Sequence, residues 1–174
     1  MNQRGFTLLE VLIALAILSI GLLAMGQMQL LTLRNSNGSG LRGQAVLVAE
    51  DMANRLYANS PGADAGRYLL AVTDTLPTSA PSNLCTTSTC SAAEMATADR
   101  YQWATLARSK LPGFKASIVC SNGNLAAPTT TCDVASLHTI TVMWDEPDGL
   151  NGTGTGCGPD PNVDLLCYRL SVDP

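Results

Sequence analysis

The most constraining feature of the chain is an apolar segment close to its N-terminus. Between Val11 and Met28 the sequence contains no charged residue, and only Ser19 and Gln27 are polar. This length is close to the ~20 apolar residues that a helix needs to cross the hydrocarbon core of a membrane. A single carboxylate, that of Glu10, stands at the edge of the segment.

Three interpretations of this segment compete. A secretory signal ends in small residues at a cleavage site, and the sequence after Ala24 is a poor match for one. A plain membrane anchor leaves Glu10 unexplained, because a lone carboxylate in the bilayer costs at least ~2.5 kcal/mol and usually has a partner. Cleavage between Gly5 and Phe6 would supply that partner, since the new amine at Phe6 could pair with Glu10 of another copy and set the register of stacked helices.

Residues 5–10, which read GFTLLE, resemble the class III signal of type IV pilins and type II secretion pseudopilins. The resemblance implies that prepilin peptidase removes the leader Met1–Gly5 and that Phe6 becomes the N-methylated mature N-terminus. It also implies that Glu10 acts in subunit assembly, in a single-pass inner-membrane protein that is later incorporated in a pilus. Arg4 on the short N-terminal side agrees with a cytoplasmic N-terminus and a periplasmic globular domain.

Helical periodicity continues beyond the apolar segment. After a weak patch at residues 35–40, apolar residues recur at spacings of three and four, which is the stripe of an amphipathic helix. Ser60-Pro61-Gly62 is expected to end this helix. Residues 6–59 are therefore predicted to form one helix of about 80 Å. The stripe consists of Leu41, Ala45, Val48, Met52 and Leu56.

The predicted helix has two parts with different surroundings. Residues 6–34 form the transmembrane or filament-core part, and residues 35–59 form an amphipathic part that lies against a globular domain at residues 60–174. Gly38 and Gly40 lie near the boundary between these parts, and each lowers the stability of the helix there by about 1 kcal/mol. This indicates either a segment that melts or bends in a fibre, or merely a frayed or kinked helix.

The six cysteines all follow the apolar segment. None forms Cys-x-x-Cys and His138 is the single histidine, so a zinc site is not expected. An even number of cysteines beyond a membrane anchor indicates disulfides and an oxidising compartment. Six cysteines allow fifteen connectivities, and pairing of sequence neighbours is the simplest, with each short loop contributing roughly 2–4 kcal/mol. The neighbouring pairs are Cys85–Cys90, Cys120–Cys132 and Cys157–Cys167.

A second helix is predicted after the first cysteine pair. Ser91-Ala-Ala-Glu94 is a capping box, in which the serine and glutamate satisfy each other's free amides. Leu111-Pro112-Gly113 is expected to close the helix. The residues at helical spacing are Met95, Ala98, Trp103 (or Gln102), Leu106 and Lys110.

Strands are predicted in the remainder of the chain. Residues 114–120, 137–145 and 166–172 have strand-like sequences, and a short strand is expected near Tyr68–Val72. Consecutive strands of this kind most simply form an antiparallel meander packed on the long helix. The sequence therefore predicts an α+β fold, a helix-plus-sheet roll of the kind that pilin globular domains have.

Two further stretches sharpen the resemblance. Residues 49–63, which read AEDMANRLYANSPGA, are similar to the end of the first helix in the PilV family of minor pilins (type IV pilus modification proteins). A cysteine pair that leads into a helix with Asp99, Trp103 and Leu-Pro-Gly at 111–113 is similar as well. The resemblance implies a minor pilin that joins other minor pilins and the major pilin, helps to start polymerisation at the pilus tip, and has a tip adhesin as a further candidate partner.

Two alternatives stay open. A minor pseudopilin of type II secretion would have the same N-terminal signal. A membrane-anchored periplasmic enzyme or binding module would keep an unprocessed N-terminus. Nucleic acid is not an expected partner, because the net charge is −4 and the sequence has no Lys/Arg cluster.

Neither catalysis nor a cofactor is expected. His138 falls in a predicted strand and is interpreted as a surface or sheet residue rather than a general base. The glycine-rich stretch 152–158 does not match Gly-x-Gly-x-x-Gly and is predicted to be a loop. The acids of residues 145–164 do not fit the EF-hand spacing, so solvated turn acids are favoured over a calcium site. Trp103 and Trp144 are expected in the core.

Overall fold

A computed structural model describes residues 7–72, 74–121, 132, 136–145 and 165–174. Its helices are α1 (Leu8–Ala58), α2 (Ser60–Asp64) and α3 (Ala92–Lys110), and its strands are β1 (Lys115–Ser121), β2 (Leu137–Trp144) and β3 (Leu166–Val172). A long N-terminal helix combined with a small antiparallel sheet is a pilin-like α+β fold, so the predicted fold class is confirmed.

The chain divides into two compact units, Met1–Ser39 and Gly40–Pro174. The described part of the first unit consists of α1 alone. Residues 35–40, the predicted weak patch, are helical, and the Ser39 hydroxyl donates to the Asn35 carbonyl oxygen at 2.9 Å. The glycines in this patch therefore do not interrupt α1. Melting of this patch in a fibre stays a prediction.

In the second unit, α1 buries one stripe of its surface. Leu41 is partly buried and packs against the hydrophobic core to which this stripe belongs, which agrees with the predicted spacing. Because several positions of the stripe are alanines, the α1 backbone can approach its neighbours closely. The buried residues are Ala45, Val48, Ala49, Met52, Ala53 and Leu56.

The end of α1 agrees with the prediction to within one residue. α1 stops at Ala58, and Ser60-Pro61-Gly62 then belongs to the short helix α2. Pro61 lies in the first turn of α2, where a missing N–H costs no hydrogen bond and the fixed φ suits a helix. The motif therefore ends one helix and begins another.

Helix α3 begins and ends where the sequence predicts. Of the residues at helical spacing, Ala98 and Trp103 are buried, whereas Leu106 is 44% exposed. The buried face consists mainly of alanines around one large ring, that of Trp103. That ring meets Phe114 edge-on, with centroids 5.4 Å apart.

The sheet is an antiparallel meander in the order β1-β2-β3, as predicted. Its register pairs Ile118 with Ile140 and Ile140 with Leu170. Central strand β2 is buried on both faces: Ile140, Val142 and Trp144 join the main core, whereas Met143 packs with Leu165 in a smaller cluster.

The prediction of a strand near Tyr68–Val72 is wrong. Leu70 makes a single antiparallel bridge to Ile118, and the Asp74 carboxylate accepts a hydrogen bond from the Ala71 N–H at 2.7 Å, in a turn rather than a strand.

Gly113 lies in the turn before β1. It has φ +59°, and a Cβ there would lie 2.9 Å from that of Asp145. A side chain at this turn would therefore be both strained and crowded.

Candidate functional site

The first turn of α1 holds Glu10 in a capping box. The N–H and the hydroxyl of Thr7 donate to Glu10 Oε2 at 2.9 and 3.1 Å, and the Glu10 N–H lies 3.3 Å from Thr7 Oγ1. Thr7 is thus the N-cap, and the carboxylate satisfies the cap's own amide. All these hydrogen bonds lie within three residues of sequence.

The capping role of Thr7 was missed in the sequence, although Thr-x-x-Glu at residues 7–10 is its signal. Gly5 and Phe6, the predicted cleavage and methylation residues, lie outside the described part of the chain. Glu10 itself is exposed, so a second charged group can approach its carboxylate.

The apolar residues that follow Glu10 are exposed as well. The large aliphatic side chains between Leu8 and Leu33 are 49–78% accessible. By length and composition, α1 is the one helix among the described residues that could cross a membrane. Such a surface must be covered by lipid or by other apolar helices, because exposure of this much apolar area to water is unfavourable.

A second polar cluster, the junction network, lies in the Gly40–Pro174 unit where α1, α2 and α3 meet. Arg55 Nη1 donates to Asp99 Oδ1 at 2.8 Å and to Gln102 Oε1 at 3.3 Å, while its Nε donates to Asp51 Oδ2 at 3.2 Å. The Tyr68 hydroxyl donates to the other Asp99 oxygen at 2.5 Å. Asp99 therefore binds two partners that are 44 and 31 residues away in sequence.

Asn59 extends the network to the start of α3. Its Nδ2 donates to the Tyr68 hydroxyl oxygen at 3.0 Å and to the Ala92 carbonyl oxygen at 2.9 Å. A Cβ at residue 62 would lie only 2.5 Å from this Nδ2, so Gly62 leaves the room that Asn59 needs. The Asn59 side chain, which lies between α1 and α2, thus connects the end of α1 and the start of α2 to α3.

The network also perturbs the tyrosine. Burial is the main cause that raises the pKa of the Tyr68 hydroxyl, and its hydrogen bond to Asp99 raises that pKa further. The hydrogen bond from Asn59 acts in the opposite direction but is outweighed. Tyr68 is therefore held in its neutral, donating form, which is the form that the Asp99 carboxylate requires.

Trp103 makes a further contact between helices of this unit. Its indole Nε1 donates to the Val48 carbonyl oxygen at 2.8 Å, and the ring is 1% exposed. Trp144 is 2% exposed. Both tryptophans are core residues, as predicted, and the indole of Trp103 also fixes α1 against α3.

His138 is a buried sheet residue rather than a surface residue. Its Nδ1 lies 2.9 Å from the Ser136 carbonyl oxygen, and its Nε2 lies 3.3 Å from the Ala63 carbonyl oxygen. Because both ring nitrogens face backbone oxygens and the ring is fully buried, the imidazole is not placed to act on a substrate.

Disulfides join Cys85 to Cys90 and Cys120 to Cys132, each with Cα atoms 5.7 Å apart. These are two of the three neighbouring pairs expected from the sequence. Cys167 is also disulfide-bonded, and its expected partner Cys157 lies outside the described residues. The first bridge closes a surface loop before α3.

Metal binding has no support among the residues that the structure describes, where no group of three or more His, Cys, Asp or Glu side chains could hold an ion. The acids at 146–164 and the glycine-rich stretch 152–158 lie outside those residues. Within the described ranges, the two polar features that stand out are therefore the Thr7–Glu10 cap and the junction network.

Comparison with known families defines the class of protein first. Residues 1–26 match the prokaryotic N-terminal methylation motif, so the chain has a class III signal. Residues 27–101 match the family described as type IV pilin Tt1218. The chain is a type IV pilin-like protein. Searches of curated proteins and of solved structures gave no significant match.

These two matches have direct implications. Type IV pilins are structural subunits, and the class III signal implies processing by prepilin peptidase and assembly with other pilins. The exposed apolar part of α1 fits anchoring in the inner membrane and incorporation in a pilus. The Tt1218-like match ends within α3, so it includes every residue of the junction network except Gln102.

Proposed function

We propose that the protein is a minor pilin of the PilV family, which joins other minor pilins in a complex at the tip of a type IV pilus and helps to start polymerisation. The observation on which this rests is the pair of adjoining family matches over residues 1–101, together with an exposed apolar helix headed by Glu10. The stretches similar to PilV supply Arg55, Asn59 and Asp99 to the junction network.

Assembly in this proposal exchanges one set of partners of Glu10 for another. In the membrane-bound subunit the carboxylate accepts hydrogen bonds from Thr7. In the fibre it pairs with the N-methylated amine of Phe6 on a neighbouring copy or another pilin. Charge attraction is several-fold stronger in an apolar surrounding than in water, so this pairing would select a single stagger between packed helices.

The proposed topology follows from the same residues. The leader Met1–Gly5 faces the cytoplasm, residues 6–34 lie in the inner membrane or in the fibre core, and residues 60–174 form the periplasmic domain. The disulfides in that domain suit an oxidising compartment.

Mass spectrometry of the protein purified from its native host tests the first step. The expected mature chain begins at methylated Phe6, and the same protein from cells that lack prepilin peptidase begins at Met1. A mature chain that begins at Met1 in cells with active peptidase would refute the proposal and favour a membrane-anchored binding module.

Deletion of the gene tests the minor-pilin role. Electron microscopy should show few or no pili on the deletion strain, with restoration by the wild-type gene. Quantification in sheared pili should give far fewer copies of this chain than of the major pilin. An abundance equal to that of the major pilin would contradict a tip position.

A minor pseudopilin of type II secretion is the second candidate, because the N-terminal signal is shared. The match of residues 27–101 to a type IV pilin family favours the pilus. Cross-linking followed by purification distinguishes the two. Recovery of pilus subunits supports the proposal, whereas recovery of secretion pseudopilins and loss of secretion in the deletion strain would replace it.

A further inference from the structure

The fold brings four cationic side chains to one end of the Gly40–Pro174 unit. This end, called here the cationic end, is the one at which the chain enters the unit at Gly40. All four side chains are exposed, and they are notable because the whole chain has a net charge of −4. The four residues are Arg42, Arg108, Lys110 and Lys115.

Hydrogen bonds between α1 and α3 show that these helices run in opposite directions. Asn59, just after α1, donates to the carbonyl oxygen of Ala92 at the start of α3. Val48, earlier on α1, accepts from the indole of Trp103, later on α3. Lys110 follows Trp103 by seven residues, which is about 10 Å along a helix. Lys110 therefore lies near the first turn of α1 in this unit.

Helical periodicity places Arg42 and Lys110 on the sides of α1 and α3 that face each other. Arg42 precedes the buried Ala49 by seven residues, and Lys110 follows the buried Trp103 by the same number. Seven residues are nearly two turns, so each cation continues the face through which its own helix packs. Both cations thus lie just beyond the end of the hydrophobic core, and an anion there would relieve their mutual repulsion.

The turn that follows α3 brings Lys115 to the same end. β1 begins at Lys115, five residues after Lys110. Lys115 and Arg108 line one groove. The Arg108 guanidinium donates to the carbonyl oxygens of Leu76 and Pro77 at 2.9 and 2.7 Å. These bonds hold Arg108 in place but leave its charge uncompensated, because carbonyl oxygens carry no net charge.

Neighbouring acids do not neutralise the cationic end. Among the described residues, the acids at this end are Asp74, which lines the same groove, and Asp145, which lies beside the turn between α3 and β1. Within the same ranges, Arg42, Lys110 and Lys115 make no hydrogen bond or ion pair. The described part of this end therefore keeps a net positive charge, with three cations that have no partner.

We propose that the cationic end binds the phosphate groups of anionic phospholipids in the membrane that anchors the chain. This inference rests on the proposed topology, in which residues 6–34 lie in the membrane. Gly40 follows that segment by six residues, which is about 9 Å of helix. An anionic membrane surface attracts Lys and Arg within about one Debye length, ~8–10 Å. Lipid phosphate would thus hold the folded unit at the membrane before assembly.

Amine acylation tests the proposal directly, because both lysines of the chain, Lys110 and Lys115, belong to the cationic end. Full-length protein from its native host is reconstituted in vesicles of phosphatidylcholine, or of phosphatidylcholine mixed with phosphatidylglycerol, and treated briefly with a neutral acylating reagent. Only an accessible, neutral amine reacts. A surface at about −30 mV holds about three times more protons than bulk water, so both lysines should react about threefold more slowly, or slower still, beside phosphatidylglycerol.

Arg67→Lys supplies the matched control, since it adds an amine at an exposed position and keeps the net charge. Residue 67 follows α2 at the opposite end of the unit, because α1 rises about 27 Å between residues 40 and 58. The amine at residue 67 should therefore react equally in both kinds of vesicle. Protection of Lys110 and Lys115 should disappear at ~1 M salt, where the Debye length falls to ~3 Å.

Three outcomes would overturn the proposal. The first is equal acylation of Lys110 and Lys115 in both kinds of vesicle. The second is an equally large lipid effect at residue 67. The third is protection that depends on the addition of another pilin and not on the lipid, which would identify a protein as the partner.

Neutral variants provide an independent measurement. Native mass spectrometry of the wild type, released from the mixed vesicles, should show more bound phosphatidylglycerol than phosphatidylcholine. The triple change Arg42→Gln, Lys110→Gln and Lys115→Gln should abolish this preference, whereas Arg67→Gln should retain it. Both variants should keep the thermal midpoint of the wild type, because the replaced side chains are exposed. A preference retained by the triple variant would contradict the proposal.

The N-terminal peptide of the same preparation reports processing separately. A chain that begins at methylated Phe6 but shows no lipid-dependent protection defeats only this inference. A chain that begins at Met1 and shows the protection defeats only the pilin proposal.

Discussion

Two carboxylates show how the two units of the chain use charge differently. Glu10 lies in the first turn of an exposed apolar helix, and among the residues that the structure describes its side chain accepts hydrogen bonds from Thr7 alone. Asp99 is largely buried and binds Arg55 and Tyr68 from distant parts of the sequence. A local partner leaves a carboxylate free to change partners without unfolding anything, whereas long-range partners make a carboxylate part of the fold.

Glu10→Ala is expected to have the largest effect, and that effect should appear in assembly rather than folding. Loss of one partner of a charge pair in an apolar interface should lower incorporation into pili by about tenfold or more. Membrane insertion should persist, because the change removes a polar group from the edge of an apolar helix. Immunoblots of sheared pili and of membranes measure both. Normal incorporation would refute the exchange of partners.

Asp99→Ala should show the opposite pattern. It leaves the Arg55 charge and the Tyr68 hydroxyl without their main partner. The side chains of Arg55 and Asp99 are 22% and 13% exposed, so solvent moderates the full cost of a broken buried pair and about 2–3 kcal/mol of unfolding free energy should be lost. Denaturant unfolding of the detergent-solubilised protein, followed by tryptophan fluorescence, measures this loss.

Asp51→Ala is the matched control for that experiment. Asp51 also pairs with Arg55, but at i,i+4 on the surface of α1 with a side chain that is 34% exposed. Its loss should cost only about 0.3–0.5 kcal/mol. Equal losses for Asp51→Ala and Asp99→Ala would contradict the distinction between local and long-range partners.

Tyr68→Phe should cost about 1.5–3 kcal/mol, since a hydrogen bond to a carboxylate disappears. The folded state raises the pKa of Tyr68, so the stability that its hydroxyl contributes is fully present below about pH 10 and is lost as the pH rises further. The difference in unfolding free energy between wild type and Tyr68→Phe should therefore shrink above that pH. A difference that grows there would show that the sign is wrong.

Ser91→Ala tests a local cap within the folded unit, and about 1 kcal/mol should be lost. The amide and hydroxyl of Ser91 hold the pKa of Glu94 below its usual range, so this contribution is present above about pH 4.3 and is lost as the pH falls. Unfolding at pH 7 and pH 3 measures both effects. A loss for Ser91→Ala that is larger at pH 3 would contradict this.

The sequence could predict what depends on short spacing. The apolar segment, the stripe on α1, the Ser91–Glu94 cap and the three-strand meander all follow from periods and motifs that lie within a few residues. The Thr7–Glu10 cap has the same kind of signal. The sequence prediction did not include this cap, because it assigned Glu10 a partner in another subunit and none within its own helix.

What could not be predicted depends on contacts between distant residues. Asp99 stands out in the sequence only through a family resemblance, and nothing local indicates that Arg55 and Tyr68 converge on it. Helical spacing in α3 also does not indicate that Leu106 is exposed while Ala96 and Ala107 are buried, because the close packing of alanines depends on the neighbouring helix. The reason that residue 62 is glycine is also a contact between distant residues. Asn59, which donates to the Ala92 carbonyl oxygen, occupies the space that a side chain at residue 62 would need.

The bond from the Trp103 indole to the Val48 carbonyl oxygen has a mechanical consequence. Turning this stretch of α1 about its own axis by one residue position, about 100°, would break the bond and expose Val48 at the same moment. A torque applied to this stretch of α1 would therefore be transmitted to α3, because the stretch cannot rotate against α3 while the hydrogen bond is intact. Leu47 and Tyr57 are exposed on the same stretch, so the directions in which they point are fixed relative to the rest of the folded domain.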